Sequence, residues 1–182
     1  SPVTNWTLPE EERRGTVGRS LQGVEEIIVD DEGCRLGPGE DGEVRIRGKN
    51  VMAGYFKLPE ATSAAFDDEG FFRTGDMGRF DEDGYLSITG RIKEMLIISG
   101  ENVFPREIEE VLNQHPAISA GAVVGQPDPA RGEVPIAFVE LVEGAQFDPK
   151  EGRSFCRKSL APFKVPREIR VLDELPRNPT GK

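Results

Sequence analysis

Residues 84–105, GYLSITGRIKEMLIISGENVFP, separate two kinds of sequence in this chain. Before them, short segments of alternating apolar and polar residues are broken by glycines and acidic turns, as in EVRIR at residues 43–47. After them, helical and strand patterns alternate. The segment GRIKE at residues 90–94 is charged and begins with a glycine. We therefore interpret it as a connector between two folded units, residues 1–90 and 91–182.

The first unit is predicted to be a small β-barrel or sandwich, because tight turns join several short strands. The second is predicted to be a small α+β domain with the order β-α-β-β-α-β. Its helices begin at Pro105 and at residues 148–149, where an aspartate precedes a proline. Residues 99–104 are predicted to form a loop. The fold class is therefore α+β, with a barrel-like lobe joined to a compact second domain.

Composition excludes several classes of function. The chain has 182 residues, of which 36% are hydrophobic and 31% charged, and a net charge of −10, which argues against nucleic acid or an anionic membrane as the main partner. No apolar run approaches the roughly 18 residues that span a bilayer, and no leader marks export. Cys34 and Cys156 lie far apart and suit a reducing compartment. With His115 as the single histidine, we predict no metal site and a cytoplasmic protein.

The first candidate site is the sequence TGD at residues 74–76. A carboxylate at the end of a β-turn can accept two hydrogen bonds from a vicinal diol such as ribose. Arg91 follows after a hairpin that could fold it back beside Asp76. The alternative is that each is simply a turn acid or a surface cation.

The second candidate is Lys182, which follows two prolines and a glycine and could present a point charge to a phosphoryl group. A solvated loop is the alternative. The chain also has one concentration of basic residues, which we interpret as a solvated helix face, or alternatively as a landing surface for a phosphorylated carrier. The members of this basic run are Arg153, Arg157, Lys158, Lys164, Arg167 and Arg170.

From about residue 15 to the last residue, the chain resembles the C-terminal portion of an adenylate-forming enzyme of the acyl-CoA synthetase/AMP-binding superfamily. The ordered set of segments is more specific than any one of them. These segments are GEVRIRG, GYFKLPEAT, GFFRTGDMGRFDEDGYLSITGRIKEMLIISGENVFPREIEEVL, GEVPIAFV and LPRNPTGK.

This resemblance implies that Asp76 binds the ribose of ATP with help from Arg91, that Lys93 is a hinge residue, and that Lys182 catalyses adenylation. Such enzymes form an acyl-AMP from a carboxylic acid and ATP, and then rotate their small domain so that a thiol attacks the adenylate. The resemblance also implies that the Mg²⁺ ligands, the phosphate loop and the acyl pocket precede Ser1. We therefore expect this chain to be a piece of a larger ligase and to be inactive alone, with its oligomeric state and acid substrate left open.

Within the superfamily, IISGENVFPREIE and LAPFKVP resemble fatty-acyl and related CoA ligases, enzymes of fatty acid metabolism. By this resemblance Ser99 and Gly100 line the pantetheine channel, while Arg131 and Lys164 contact CoA phosphates. Asn102 replaces a further cation of some relatives. Ser99 replaces a frequent glycine, and serine is tolerable there only if the backbone does not need a positive φ. The alternatives are a ligase that loads a carrier-protein pantetheine, or a non-catalytic binding or regulatory module.

Overall fold

The structure, a computed structural model, describes residues 3–7 and 13–177. The chain divides into two compact units, residues 1–93 (unit 1) and 94–182 (unit 2). The boundary lies at the charged segment that the sequence indicates as a connector, three residues beyond the predicted position. Each unit has its own hydrophobic core.

Unit 1 contains six strands and one short helix within the described residues. They are β1 (Asn5–Trp6), β2 (Arg19–Ser20), β3 (Val24–Val29), β4 (Gly42–Gly48), α1 (Pro59–Ala65), β5 (Phe72–Phe80) and β6 (Leu86–Arg91). Four of the strands form an antiparallel sheet in the order β3-β4-β5-β6, and β1 and β2 form a two-stranded ribbon. The described strands form an open sheet rather than a closed barrel.

Alternation of side chains explains the core of this sheet. Val44 and Ile46 on β4 point to one face, where they are buried with Ile28 of β3 and Leu86 of β6. The predicted strands in this unit are therefore confirmed. The TGD segment, however, lies inside β5 and not at the end of a turn, because β5 continues through it to pair with β6.

A buried ion-pair network ties β4 to the chain segment before β5. Arg45 is 7% exposed, and its guanidinium contacts Glu43 at 2.9 Å and Asp67 at 3.0 Å. Asp67 also accepts hydrogen bonds from the backbone N–H groups of Glu69 and Phe71. Burial opposes the charge of Asp67, but these donors and Arg45 outweigh it and lower its pKa.

The described residues of unit 2 form a five-stranded sheet with two helices. The elements are β7 (Leu96–Ile98), β8 (Glu101–Val103), α2 (Pro105–Leu112), β9 (Ile118–Asp128), β10 (Gly132–Leu141), α3 (Pro149–Cys156) and β11 (Glu168–Val171). β10 is the centre of the sheet: it pairs antiparallel with β9 along most of its length and parallel with β11. It also pairs at Gly132 with β7, which in turn pairs with β8.

The two helices begin where the sequence predicts. Each has a proline in its first turn, and Asp148 caps α3 by accepting a hydrogen bond from the Lys150 N–H at 2.9 Å. Ile108 and Leu112 of α2 are fully buried against the sheet. The α+β class is therefore confirmed, with β8 as an additional strand where a loop was expected.

No helix in residues 3–7 and 13–177 combines the length and apolar character needed to cross a bilayer.

Candidate functional site

Asp76 and Arg91 lie side by side in unit 1. They are register partners on β5 and β6, and Arg91 Nε lies 2.9 Å from Asp76 Oδ1. The hairpin therefore folds Arg91 back beside Asp76, as the sequence predicts. The Arg91 side chain is 45% exposed and that of Asp76 is 21% exposed, so a ligand can reach both.

The backbone around Asp76 is shaped by the two residues before it. Gly75 has φ +70°, and the Thr74 hydroxyl donates to the Val44 carbonyl at 2.6 Å while accepting from the Asp76 N–H at 3.0 Å. The β5–β6 register also shifts just after Asp76, between Met77 and Gly78. Threonine, glycine and the register shift together hold the carboxylate at a fixed place on the strand.

A cavity of about 250 Å³ lies beside this carboxylate. Its walls are mainly the apolar face of the sheet, including Val44, Ile46 and Ile88, and Asp76 contributes its charge. Such a combination can hold the polar edge and the flat face of one small ligand.

Lys93 lies at the end of unit 1, in a single 3-10 turn, Ile92–Glu94. Its side chain is exposed, and the compact units divide immediately after it. Because this side chain is exposed, a change of the backbone torsions of Lys93 would disturb no buried packing of its own side chain.

Ser99 and Gly100 form the two-residue turn between β7 and β8. Their φ angles are +54° and +87°, and Ile98 pairs with Glu101 across the turn. Positive φ at both central residues is the requirement of a type I′ hairpin. The condition for a tolerable serine is therefore not met: the short loop imposes a positive φ on Ser99, and serine carries the strain.

Arg131 lies in the turn between β9 and β10, and Asp128 shapes that turn. Asp128 Oδ1 accepts from the backbone N–H groups of Ala130 at 2.9 Å and Arg131 at 3.0 Å, and Oδ2 contacts Arg167 Nη1 at 2.6 Å. The Ala130 N–H, with Arg167 and the Arg131 N–H, lowers the pKa of Asp128. The carboxylate therefore stays charged near neutral pH and orders the turn.

A cavity of about 660 Å³ opens next to this turn, which we call the arginine cavity. Four arginines line it with one carboxylate, that of Asp128. Apolar residues, including Phe163 and Val165, complete the wall. The four are Arg131, Arg153, Arg157 and Arg167. In a chain of net charge −10, this is a local excess of three positive charges around a concave site.

The basic run is thus divided by the fold. Arg153, Arg157 and Arg167 line the arginine cavity, and Arg157 and Arg167 are at the same time exposed to solvent, so their positions are compatible both with a solvated surface and with a ligand site. Arg153 donates from Nε to the Pro166 carbonyl at 2.9 Å, which fixes its guanidinium at the wall. Within the described residues, Arg157 forms no ion pair, so its charge is available to a ligand. No sequence pattern brings Arg131 to these residues; only the β9–β10 hairpin does.

Lys164 does not line the arginine cavity, although its neighbours Phe163 and Val165 do. Its ammonium contacts Glu107 of α2 at 2.6 and 2.9 Å. The resemblance implies that Arg131 and Lys164 contact the same ligand, whereas of the two only Arg131 lines this cavity. Lys182 lies outside the described residues.

Two acidic segments of unit 1, residues 30–32 and 81–83, form turns. Asp30 Oδ1 accepts from the Glu32 and Cys34 N–H groups, and Asp81 Oδ1 accepts from those of Asp83 and Tyr85. In the part of the chain that the structure describes, no three His, Cys, Asp or Glu side chains are grouped so as to hold a metal ion.

Comparisons with known proteins identify the family of this chain. The model of the AMP-binding enzyme family matches residues 1–56, and that of the AMP-binding enzyme C-terminal domain matches residues 107–182. The sulfoacetate–CoA ligase of Cupriavidus necator is 43% identical over 174 residues, which are 96% of this chain and 34% of that enzyme.

Two solved structures show the same fold. ATP-bound MatB from Rhodopseudomonas palustris gives a TM-score of 0.90 at 39% identity, over 97% of this chain and 36% of that one. The amide bond synthetase McbA from Marinactinospora thermotolerans gives 0.88 at 42% identity, over 92% and 34%. The chain thus spans about a third of the length of the proteins it matches.

Two successive family models, a CoA ligase at 43% identity and two solved structures of the same fold lead to one conclusion: this chain belongs to the adenylate-forming superfamily of AMP-binding enzymes.

Proposed function

We propose that this chain is part of an ATP-dependent carboxylate–CoA ligase. The enzyme would join a carboxylic acid to AMP with release of pyrophosphate, and then transfer the acyl group to the thiol of CoA with release of AMP. The CoA-ligase relative supports this proposal, but the amide bond synthetase relative shows that likeness alone leaves the acceptor open. The choice of acceptor therefore rests on the chemistry of the sites.

The nucleotide would bind at Asp76. A carboxylate accepts hydrogen bonds from two neighbouring hydroxyl groups, and the adjacent Arg91 guanidinium can donate to the sugar or to a phosphate. The 2.9 Å ion pair supports this role because it fixes both groups in one orientation before the ligand arrives.

The arginine cavity is the observation that carries the choice of CoA. CoA bears a 3′-phosphate and a diphosphate, about four negative charges in all. Four guanidinium groups with one carboxylate leave an excess of three positive charges, which offsets most of that negative charge, and planar guanidinium groups bind phosphate oxygens in pairs. At about 660 Å³ the cavity falls in the size range of small-molecule sites.

The same charge count disfavours the other acceptors. The arm of a carrier protein has a single phosphodiester charge, and a simple amine has no phosphate at all. Neither would explain Arg131, Arg153 and Arg157 around one cavity. A non-catalytic module would not need the Asp76–Arg91 pair in addition.

Two further residues complete the proposal. Lys93 would be the hinge, which its exposure at the boundary of the units supports. Lys182 would stabilise negative charge at the reacting phosphate during adenylation. We expect Lys93→Pro, which fixes φ, to affect the two half-reactions unequally. We also expect the 182-residue chain by itself to form no acyl-adenylate.

The experiment uses the complete enzyme and measures its two half-reactions separately. Arg157→Ala and Arg131→Ala should each raise the Michaelis constant for CoA by about 10- to 100-fold, the effect of losing a hydrogen bond to a charged group. Pyrophosphate exchange, which reports adenylation, should stay unchanged. Arg170→Ala is the matched control, because Arg170 is exposed on β11 and pairs with Glu168 away from the cavity.

Three acceptors then separate the alternatives. CoA should be acylated efficiently, whereas a holo-carrier protein and simple amines should react poorly. Preference for the carrier protein, or an unchanged CoA dependence in both arginine variants, would overturn the proposal. Absence of adenylation by the complete enzyme with every acid tested would instead favour the non-catalytic module.

A further inference from the structure

The turn between β7 and β8 is held from outside by the segment Arg131–Gly132–Glu133. The Ser99 N–H donates to the Arg131 carbonyl at 2.7 Å, and the Ile97 N–H donates to Glu133 Oε2 at 2.9 Å. The N–H groups of Ile97 in β7 and of Ser99 in the turn thus both point to the segment 131–133.

Two glycines make this approach possible. A Cβ on Gly132 would lie 3.0 Å from the Ile97 carbonyl oxygen, so a side chain there would push β7 away. A Cβ on Gly125 would lie 2.5 Å from Glu133 Oε1, in the space that the carboxylate occupies. The fold therefore keeps room for the Glu133 carboxylate at this place.

The turn needs such support because Ser99 is left-handed. An L-residue other than glycine disfavours this conformation by about 5- to 30-fold in population, so a serine turn left to itself would rarely have this shape. Strained backbone persists where neighbouring structure fixes it. The hydrogen bonds to Ser99 and Ile97, and the pairing of Gly132 with Ile98, are that structure.

We infer that Glu133 is a positioning residue for the thiol-transfer half-reaction: its carboxylate holds the strained Ser99–Gly100 turn in the shape that it would need to line the pantetheine channel, the role that the resemblance implies for this turn. The inference rests on the proposed CoA-ligase function. Glu133 touches no substrate in this scheme and acts through the backbone of β7.

The primary test compares half-reactions in the complete enzyme. Glu133→Ala should lower the rate of thioester formation from preformed acyl-adenylate by about 3- to 5-fold, less than the roughly 5- to 30-fold for a turn without any support, because the Ser99–Arg131 hydrogen bond and the Gly132–Ile98 pairing remain. Pyrophosphate exchange should remain unchanged. Glu133→Gln keeps a carbonyl acceptor for the Ile97 N–H and should retain most of the rate. Glu143→Ala, at an exposed glutamate after β10, controls for the loss of one negative charge.

A second substitution distinguishes turn support from general destabilisation. Asparagine accepts the left-handed conformation and forms type I′ turns with a following glycine. In a Ser99→Asn background, Glu133→Ala should therefore lower the rate of thioester formation much less than it does in the parent. Each rate is compared with that of the same background without the Glu133 substitution. An equal loss in both backgrounds would overturn the inference.

The 182-residue chain gives a readout without catalysis. Amide hydrogen exchange at Ile97 and Ser99 should accelerate in Glu133→Ala, while exchange at Val123, whose N–H is bonded to Glu109, should not. If the complete enzyme transfers acyl groups to CoA and Glu133→Ala leaves the thiol step unchanged, the positioning role is wrong and the proposed function stands. If the parent enzyme transfers nothing to CoA, the proposed function itself fails, and the inference fails with it.

Discussion

Replacement of Arg45 by methionine should destabilise unit 1 and leave unit 2 unaffected. The side chains of Arg45, Glu43 and Asp67 are 8%, 14% and 12% exposed, so loss of the guanidinium leaves two carboxylates poorly solvated. Breaking a buried ion pair by removing one partner typically costs about 3–5 kcal/mol. Asp67 keeps its hydrogen bonds from the backbone of Glu69 and Phe71, so we expect a value near the lower end, about 3 kcal/mol.

The chain provides separate probes of its two units. Its single tryptophan, Trp6, and both tyrosines, Tyr55 and Tyr85, belong to unit 1, whereas its single histidine, His115, belongs to unit 2. Tryptophan fluorescence and the histidine ring signals in NMR can therefore follow urea unfolding of each unit. For a dependence of about 1–1.5 kcal/mol per M urea, the tryptophan midpoint should fall by about 2–3 M and the histidine midpoint should not move.

Acid gives an independent check of the same reasoning. The folded-state pKa of Asp67 is lowered, so its contribution is present above its unfolded pKa of about 3.9 and is lost as the pH falls through the folded value. The penalty of Arg45→Met should therefore shrink below about pH 4. An unchanged tryptophan midpoint, or equal shifts with both probes, would refute this account of Arg45. Arg79→Met, at an exposed ion pair with Asp41, serves as the control.

Three other predictions concern single side chains. Burial raises the pKa of the Glu109 carboxyl in the folded protein, so the free energy of unfolding should fall as the pH rises from the unfolded-state pKa of about 4.3 through the folded-state pKa. Thermal unfolding should therefore find Glu109→Gln no more stable than the parent near pH 4 and increasingly more stable toward neutrality. Cys34 is exposed and Cys156 is fully buried with a raised pKa, so iodoacetamide should modify Cys34 at least about 100-fold faster, as followed by mass spectrometry. In the complete enzyme, Asp76→Ala should raise the Michaelis constant for ATP by about 10- to 100-fold in pyrophosphate exchange, and equal ATP dependence would remove Asp76 from the nucleotide site.

Local rules predict much of the fold. The alternation in β4, the proline starts of α2 and α3, and the Asp148 cap each depend on residues close together in the chain. β8 was missed because its three residues, Glu101–Val103, become a strand only through pairing with β7 across a turn that serine disfavours.

The two candidate sites also differ in how far apart in the chain their residues lie. The approach of Arg91 to Asp76 follows from one hairpin, which the sequence reveals. The arginine cavity joins a β-hairpin turn, helix α3 and the segment before β11, and no periodicity reports such distant neighbours. The roles of these residues in catalysis stay predictions.

The ion pair between Lys164 and Glu107 determines which anions the Lys164 ammonium can bind. Because the ammonium already holds a carboxylate at 2.6 Å, an incoming anion would have to exchange with Glu107, and only the difference between the two partners would count toward affinity. A singly charged group gains little from that exchange. A dianionic phosphate gains more, so the competing carboxylate of Glu107 makes Lys164 selective for groups that carry more than one negative charge.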